Sequence, residues 1–314
     1  MLDEILTVTF LTGFLAATLR IMTPILIAAL GEMFAERAGV LNLGIEGIMI
    51  IGSFAGFAGA YFTGSLLLGF VTGALAGALL GLAMGVLSIR LKANQIVAGL
   101  GIWILCQGLA SFLNRGIFGV VSVRPSVSIL PAISLPLLNQ VPLLGETLFN
   151  QNIVVYLTLL AVPVFTFIFR RTSWGLSIDA VGEEPHAADA AGISVSRVRY
   201  IAVTFGGLMA GLGGAYLSLA LFGLYTDDLS TGLGWMAIVV VVFGKWRPWW
   251  IVGGALIFGA ANALQYRLQA LDFPLPYQFL LMIPFIVTLV IVVIFGRGQK
   301  GPSALAAPYE RSEL

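Results

Sequence analysis

Long apolar runs follow one another along the chain, separated by short polar breaks, and most of the runs are too uniformly apolar to be one face of a soluble helix. A helix rises 1.5 Å per residue, so about 20 apolar residues cross a hydrocarbon core of about 30 Å. By that ruler the candidate spans are 5–19, 21–35, 44–63, 66–89, 95–113, 152–169, 200–222, 233–244, 249–268 and 277–296. The first two are short and separated only by Arg20 and the Thr23-Pro24 break, and 233–244 is short as well. The pattern predicts an all-α, polytopic transmembrane helical bundle of about 8–10 spanning helices. It forms one transmembrane domain over 1–300, followed by a tail at 301–314. Gly69, Gly73, Gly77, Gly81 and Gly85 recur every four residues in one run, and Gly52/Gly56 and Gly207/Gly211 repeat the spacing. Such residues share a helix face and let a second helix approach closely.

The few charges orient the bundle. With ten spans and the C-terminus in the cytoplasm, Arg37, Arg90, Lys92, Arg170, Arg171, Arg197, Arg199, Lys245, Arg247, Arg297, Lys300 and Arg311 fall inside; Arg20, Arg115, Arg124 and Arg267 fall outside. That bias predicts both termini on the cytoplasmic side. It leaves an outer loop at about 114–151, containing Pro125, Pro131, Pro136 and Pro142, and a long inner loop at about 170–199.

Composition closes off other classes. Of 314 residues, 59% are hydrophobic and 10% charged, against roughly 25% charged in soluble domains. A soluble enzyme has no way to hide so much apolar surface. A net charge of +1 gives no electrostatic reason to expect nucleic acid. Cys106 is the one cysteine and His186 the one histidine, which removes intrachain disulfides, cysteine metal sites and His₃ zinc sites. No G-x-x-x-x-G-K-[ST] pattern occurs, so a P-loop ATPase is not expected in this chain, nor is a bound cofactor or metal. The acidic start Met1-Leu2-Asp3-Glu4 lacks the basic region of a cleaved signal peptide.

Within the inner loop, Pro185 suits a first helical turn, Glu183 and Glu184 suit a helix N-terminus, and Gly192 suits the residue after a helix end. Ala187, Ala188, Ala190 and Ala191 lie between, around His186 and Asp189. The reading is a surface helix of about two turns whose small residues offer a flat face to another protein, or simply a tie between two spans. The run Ala180-Val-Gly-Glu-Glu-Pro-His-Ala-Ala-Asp-Ala-Ala-Gly192-Ile193 resembles the coupling-helix region of ABC importer permeases, in the subgroup serving ribose and other simple sugars, nucleosides and branched-chain amino acids. Glu36-Arg-Ala-Gly-Val-Leu-Asn-Leu-Gly-Ile-Glu-Gly47 is similar to that subgroup's N-terminal signature, particularly in its nucleoside and simple-sugar members. Asn94-Gln-Ile-Val-Ala-Gly99 and Gly234-Trp-Met-Ala-Ile-Val-Val-Val-Val-Phe-Gly244, followed by Pro248, resemble its later blocks. Asp189 stands where the broader permease pattern begins with Glu.

The resemblance implies a coupling helix at Gly182, Glu183, Glu184, Pro185, His186, Ala187, Ala188, Asp189, Ala190, Ala191 and Gly192. It implies ATP-binding subunits that use ATP and magnesium, a second permease subunit (a distinct paralogue in the first reading, a second copy of this chain in the alternative), an extracytoplasmic substrate-binding protein that meets residues 114–151, and a bacterial or archaeal plasma membrane. Large tryptophan substitutions at Ala188 or Ala191 are expected to uncouple transport.

Asn42 and Glu46 share a face if their segment is helical, and a carboxylate at membrane depth suggests a functional site. Its flanking Gly44 and Gly47 favour the other reading, an acceptor for backbone N–H groups at a helix break. Asn94, Gln95 and Gln107, with Trp103 between them, can bind hydroxyls while an aromatic stacks on a ring, or can glue helices together. These six are the candidate path residues. Trp246, Trp249 and Trp250 read as an inner interfacial belt, and Asp227 and Asp228 as outer-loop acids. The scarcity of charge in the spans favours a neutral cargo. An ion-gradient-driven secondary transporter is the alternative, and it would want more embedded carboxylates than Glu46 and Glu32 supply.

Overall fold

Arg20 and Pro24 do not divide the first apolar stretch. In the computed structural model, residues Val8–Arg37 form one 30-residue helix, α1, with Pro24 inside it. The structure describes residues 8–119, 124–134, 144–227, 229–271, 276–295 and 301–310. Proline removes one helical hydrogen bond, a loss that membrane helices tolerate where neighbours pack the gap. Here the Pro24 carbonyl lies against Gly213, where an added Cβ would come within 2.9 Å of it. Arg20 marks no boundary either: its Nε donates to Gln151 Oε1 at 3.1 Å.

The chain continues through α2 (Ile45–Thr63), α3 (Leu66–Gly85, prolonged by a π turn at Val86–Arg90) and α4 (Gln95–Phe118). The outer segment then holds β1 (Ala132–Ser134), α5 (Leu144–Phe149) and β2 (Asn150–Asn152), with β1 and β2 paired antiparallel. After it come α6 (Ile153–Arg171), α7 (Ser173–Glu183), α8 (Pro185–Ala190) and α9 (Val195–Tyr216, prolonged by a π segment at Leu217–Phe222). The last elements are α10 (Leu233–Phe243), α11 (Pro248–Ala270), α12 (Tyr277–Leu281) and α13 (Ile283–Phe295). Among the described residues, six helices are long and apolar enough to cross a membrane: α1, α2, α3, α4, α6 and α9.

Merging the first two segments changes the topology read from the sequence. The Val8 end of α1 packs beside α5 and Arg267, whose guanidinium donates to the Phe10 carbonyl at 3.2 Å. The Arg37 end meets Asp179 and Trp246. Thirty residues separate these ends by about 45 Å. Residues 301–310 lie at the Arg37 end, where the Ala306 N–H donates to the Gly39 carbonyl. The start of α1 and the C-terminal segment therefore sit at opposite ends of the bundle, which corrects the expectation of both on one side. We call the Arg37 end, where the basic residues concentrate, the inner end. Arg297, Lys300, Arg311, Pro136, Pro142, Asp228 and the acidic N-terminus lie outside the described residues.

α1, α2 and α9 form the buried centre, while α3, α4 and α6 present Leu75, Leu79, Ile104, Phe112, Leu157 and Phe167 outward. The glycine stripe of α3 faces two helices at once. A Cβ on Gly81 would lie 2.7 Å from the Val203 carbonyl of α9, and one on Gly73 would lie 2.8 Å from the Gly52 carbonyl of α2. Close backbone contact replaces side-chain interdigitation there, as the four-residue spacing predicts.

Residues 301–310 are a strap rather than a free tail. The Ala304 N–H donates to the Gly182 carbonyl, Arg199 bonds the carbonyls of Ala38 and Ala307, and Ser303 donates to Glu183. At the strap's end, Lys92 pairs with Glu310 at 2.6 Å and holds that carboxyl below its usual range.

A mid-membrane cavity and an inner-face helix

α10 has 11 residues, about 16 Å, and so covers about half of a hydrocarbon core. Its inner end leads into the turn at Lys245 and Trp246, so its N-terminus lies at mid-depth. There Glu46 meets it. Glu46 Oε1 accepts from the Ser230 hydroxyl and from the Gly232 N–H at 3.0 Å, and Oε2 accepts from the Gly234 N–H at 2.7 Å. Glu46 also sits in the first turn of α2. One buried carboxylate thus faces two helix N-termini, whose N–H groups and dipoles stand in for a cation. The acceptor reading of Glu46 holds in altered form. The side chain accepts backbone N–H groups, but those of another helix rather than of its own glycine break.

The same carboxylate lines a cavity of about 350 Å³ with Trp103, Gln107, Asp227, Ser230 and Trp235. The two indoles pack edge to face at 5.5 Å between centroids. Glycines make room for this arrangement: a Cβ on Gly47 would lie 2.7 Å from the Trp103 Cα. Toward the Val8 end lies a second cavity of about 420 Å³, lined by Asn114, Arg115, Arg124, Tyr225 and Asp227. Beyond it a third, of about 640 Å³, is formed by Tyr61, Phe62, Phe118, Arg124 and Pro125. Phe118, Arg124 and Pro125 line both the second and the third cavity, and Asp227 lines both the first and the second.

Of the six predicted path residues, Glu46, Trp103 and Gln107 come together here. The other three do not. Asn42 Oδ1 accepts from the Gly44 N–H at 3.0 Å, and its own N–H donates to the buried Glu32 at 2.9 Å. Asn94 caps α4 by accepting from Ile96 and Val97, and Gln95 Oε1 accepts from the Leu41 N–H at 2.8 Å. Polar side chains beside helix starts satisfy those N–H groups first. Sequence reasoning missed Trp235, Ser230 and Thr231 as cavity residues. The signal was present in the shortness of the 233–244 run, because interrupted membrane helices mark binding sites.

At the inner end, Pro185 opens α8 and Gly192 (φ +84°) follows its end. Gly182 and Glu183 belong to α7, and Glu184 joins the two helices. His186, Ala187, Ala190, Ala191 and Gly192 are exposed, and Asp189 is half-buried. Ala188 is buried against Val181 and Val195, so it corrects the expectation that treated it as a surface position like Ala191. His186 lies 5.2 Å from the Tyr309 ring of the strap.

Bonds tie this face to the cavity. Asp179 of α7 takes both Arg37 Nε (2.7 Å) and Nη2 (2.6 Å), and burial pushes its carboxyl up while Arg37 opposes the shift. Next to Arg37, Glu36 accepts from the Trp246 indole N–H. Trp246 is buried, so only the exposed Trp249 and Trp250 fit the predicted interfacial belt. Trp246→Phe removes a buried bond to a carboxyl and is expected to lower stability by about 1.5–3 kcal/mol, read as the thermal midpoint of the purified chain.

Comparison with known proteins follows this geometry. Residues 14–293 match the family described as branched-chain amino acid transport system / permease component. The chain is similar to a putative glucose ABC transporter permease protein of Haloferax volcanii, with 42% identity over 270 residues covering 85% of this chain and 80% of that one. It is similar to the guanosine ABC transporter permease protein NupQ of Bacillus subtilis, with 35% identity over 93% of this chain and 95% of that one. A nucleoside ABC transporter permease protein, NupC of Lactococcus lactis, shares 29% identity over 93% and 94% of the two chains. No solved structure matches.

Proposed function

The chain belongs to the branched-chain amino acid transport system / permease component family, and from that premise we propose that it is the permease subunit of an ATP-driven ABC importer of a neutral solute, a nucleoside or a simple sugar. The observation that carries this reading is the family match across residues 14–293, which takes in both the mid-membrane cavity and the inner-face helix. In this reading the three cavities are the outer half of a path. Trp103 and Trp235 offer faces to a ring, Gln107, Ser230 and Thr231 offer groups for hydroxyls, and Glu46 holds the start of α10 in place.

Separate ATP-binding subunits, which carry the nucleotide and its magnesium, dock on His186, Ala187, Ala190 and Ala191 of the α8 face, in a plasma membrane whose cytoplasmic side is the inner end. A substrate-binding protein delivers the solute at the outer end. A second permease subunit covers α4, where a Cβ added at Gly101, Gly108 or Gly116 would meet no atom of the described residues within 4 Å and the cavity residue Gln107 is exposed. Closure of the ATPases would move α7 and α8, and the Asp179–Arg37 and Glu36–Trp246 bonds would carry that motion to α10 and the cavity floor.

The test is uptake of radiolabelled guanosine and glucose into vesicles holding the complete importer, with internal ATP or with an ion gradient and no nucleotide. ATP-dependent uptake is expected. Gradient-driven uptake by this chain alone would replace the reading with a secondary transporter. Ala191→Trp, on the exposed side of α8, is expected to cut uptake by at least about tenfold with an unchanged thermal midpoint, since a bulky ring there blocks docking without touching the core. Unchanged uptake would remove α8 from the coupling surface.

A further inference from the structure

Asp227 is the residue that the two inner cavities share. It lies in the chain between the π segment that prolongs α9 and the start of α10. One carboxylate oxygen, Oδ2, accepts from the Ser111 hydroxyl of α4 at 3.0 Å; the other, Oδ1, is buried and has no hydrogen-bond partner among the described residues. A carboxylate oxygen sealed from water without a donor is costly, because the desolvation is uncompensated. Glu46, the other carboxylate of the cavity, does not share this state, since both its oxygens are taken by Ser230, Gly232 and Gly234. The cavity walls therefore hold one spent carboxylate and one with free capacity.

We propose that Asp227 is a specificity-determining residue that reads vicinal hydroxyl groups on the passing solute. This rests on the permease reading above and deepens it by naming the feature of the cargo that is recognised. An ionised carboxylate is an acceptor only, with about four lone-pair sites on two oxygens, so a pair of adjacent hydroxyls is its natural complement. Oδ1 is covered in this arrangement, so a turn of the carboxylate about its Ser111 bond is what presents it to the incoming donors. Two further features of the cavities suit such a cargo. Trp103 and Trp235 line the same 350 Å³ space and provide apolar faces for a sugar ring or a base. Arg115 and Arg124 line the outer cavity beside Asp227 and can donate to ring or carbonyl oxygens that Asp227 cannot serve. A solute without the diol would leave the Asp227 oxygen unpaired where both cavities meet this residue, and sites with unpaired buried polar groups reject such analogues strongly.

The experiment uses the complete importer in vesicles with internal ATP. Guanosine is compared with 2′,3′-dideoxyguanosine, and glucose with 2-deoxyglucose and 3-deoxyglucose, in wild type and in Asp227→Asn. Wild type is expected to favour the intact diol by about tenfold or more, the range of a hydroxyl bound to a charged group. In Asp227→Asn the preference is expected to shrink to within about threefold, through slower uptake of the diol-bearing solute and little change for its deoxy analogue. Equal losses for both classes would make Asp227 a structural residue and overturn the proposal, as would an unchanged preference. If the Asn variant does not reach the membrane, Asp227→Ser is read in the same way. Wild type that carries neither guanosine nor glucose with ATP would sink the permease reading itself, a failure visible before any variant is measured.

Discussion

Uptake is expected to fall by at least about tenfold in Glu46→Gln and to be lost in Glu46→Ala, with the alanine variant also the less stable. Glu46 accepts three hydrogen bonds at the start of α10, two from backbone N–H groups that have no helical partner of their own. Removing the carboxylate leaves those donors unpaired at mid-membrane, a loss of about 3–5 kcal/mol once water entering from the cavity is allowed for. Glutamine keeps the shape but turns a donor toward one of the N–H groups, most simply that of Gly234, so it restores part of the stability and little of the geometry. Thermal midpoint and ATP-driven uptake, measured together, separate the two effects. If Glu46→Gln transported at the wild-type rate, the carboxylate would be dispensable to the path and α10 would need another anchor.

Gly77→Leu is expected to yield no folded chain in the membrane, whereas Gly101→Ala is expected to behave as wild type. A Cβ at Gly77 would run into the Gly207 carbonyl and the Gly211 backbone, which belong to a rigid helix and cannot step aside. Overpacking in ordinary cores costs about 1–3 kcal/mol because side chains shift; here α3 and α9 would have to separate, and the stripe from Gly69 to Gly81 would lose its contacts with α2 and α9. Gly101, in contrast, has no atom within 4 Å of the added carbon. Monodispersity of the detergent-extracted chain on size exclusion decides the matter. A monodisperse Gly77→Leu would mean that the α3–α9 contact is looser than its backbone distances require.

These two residues also show what could be read before the fold was known. The glycine stripe was legible because spacing alone puts it on one face, and small residues on a membrane helix have essentially one structural use. The position of α8 was legible from Pro185 and Gly192, which punctuate a helix locally. The surroundings of Asn42, Asn94 and Gln95, three of the six path candidates, were not legible, because these side chains are spent on helix starts that only the fold reveals. Trp235 was hidden for the opposite reason. An aromatic in a run of valines looks like lipid-facing bulk until the arrival of Trp103 from α4 places the two rings together. Arg20 misled the topology because a charge inside an apolar run ordinarily ends a span, whereas here a distant glutamine receives it.

The strap at 301–310 bears on how the molecule is made. A chain emerges from the ribosome N-terminus first, so every helix through α13 is synthesised before the residues that bond Gly39, Gly182, Arg199 and Lys92 exist. Until then, the loop after α1, the α7 helix and the first turn of α9 lack the backbone partners that tie them to one another. The surface that we assign to the ATPases is thus completed only after every helix through α13 has been made, and a permease halted before residue 301 would offer its partners an unfinished face.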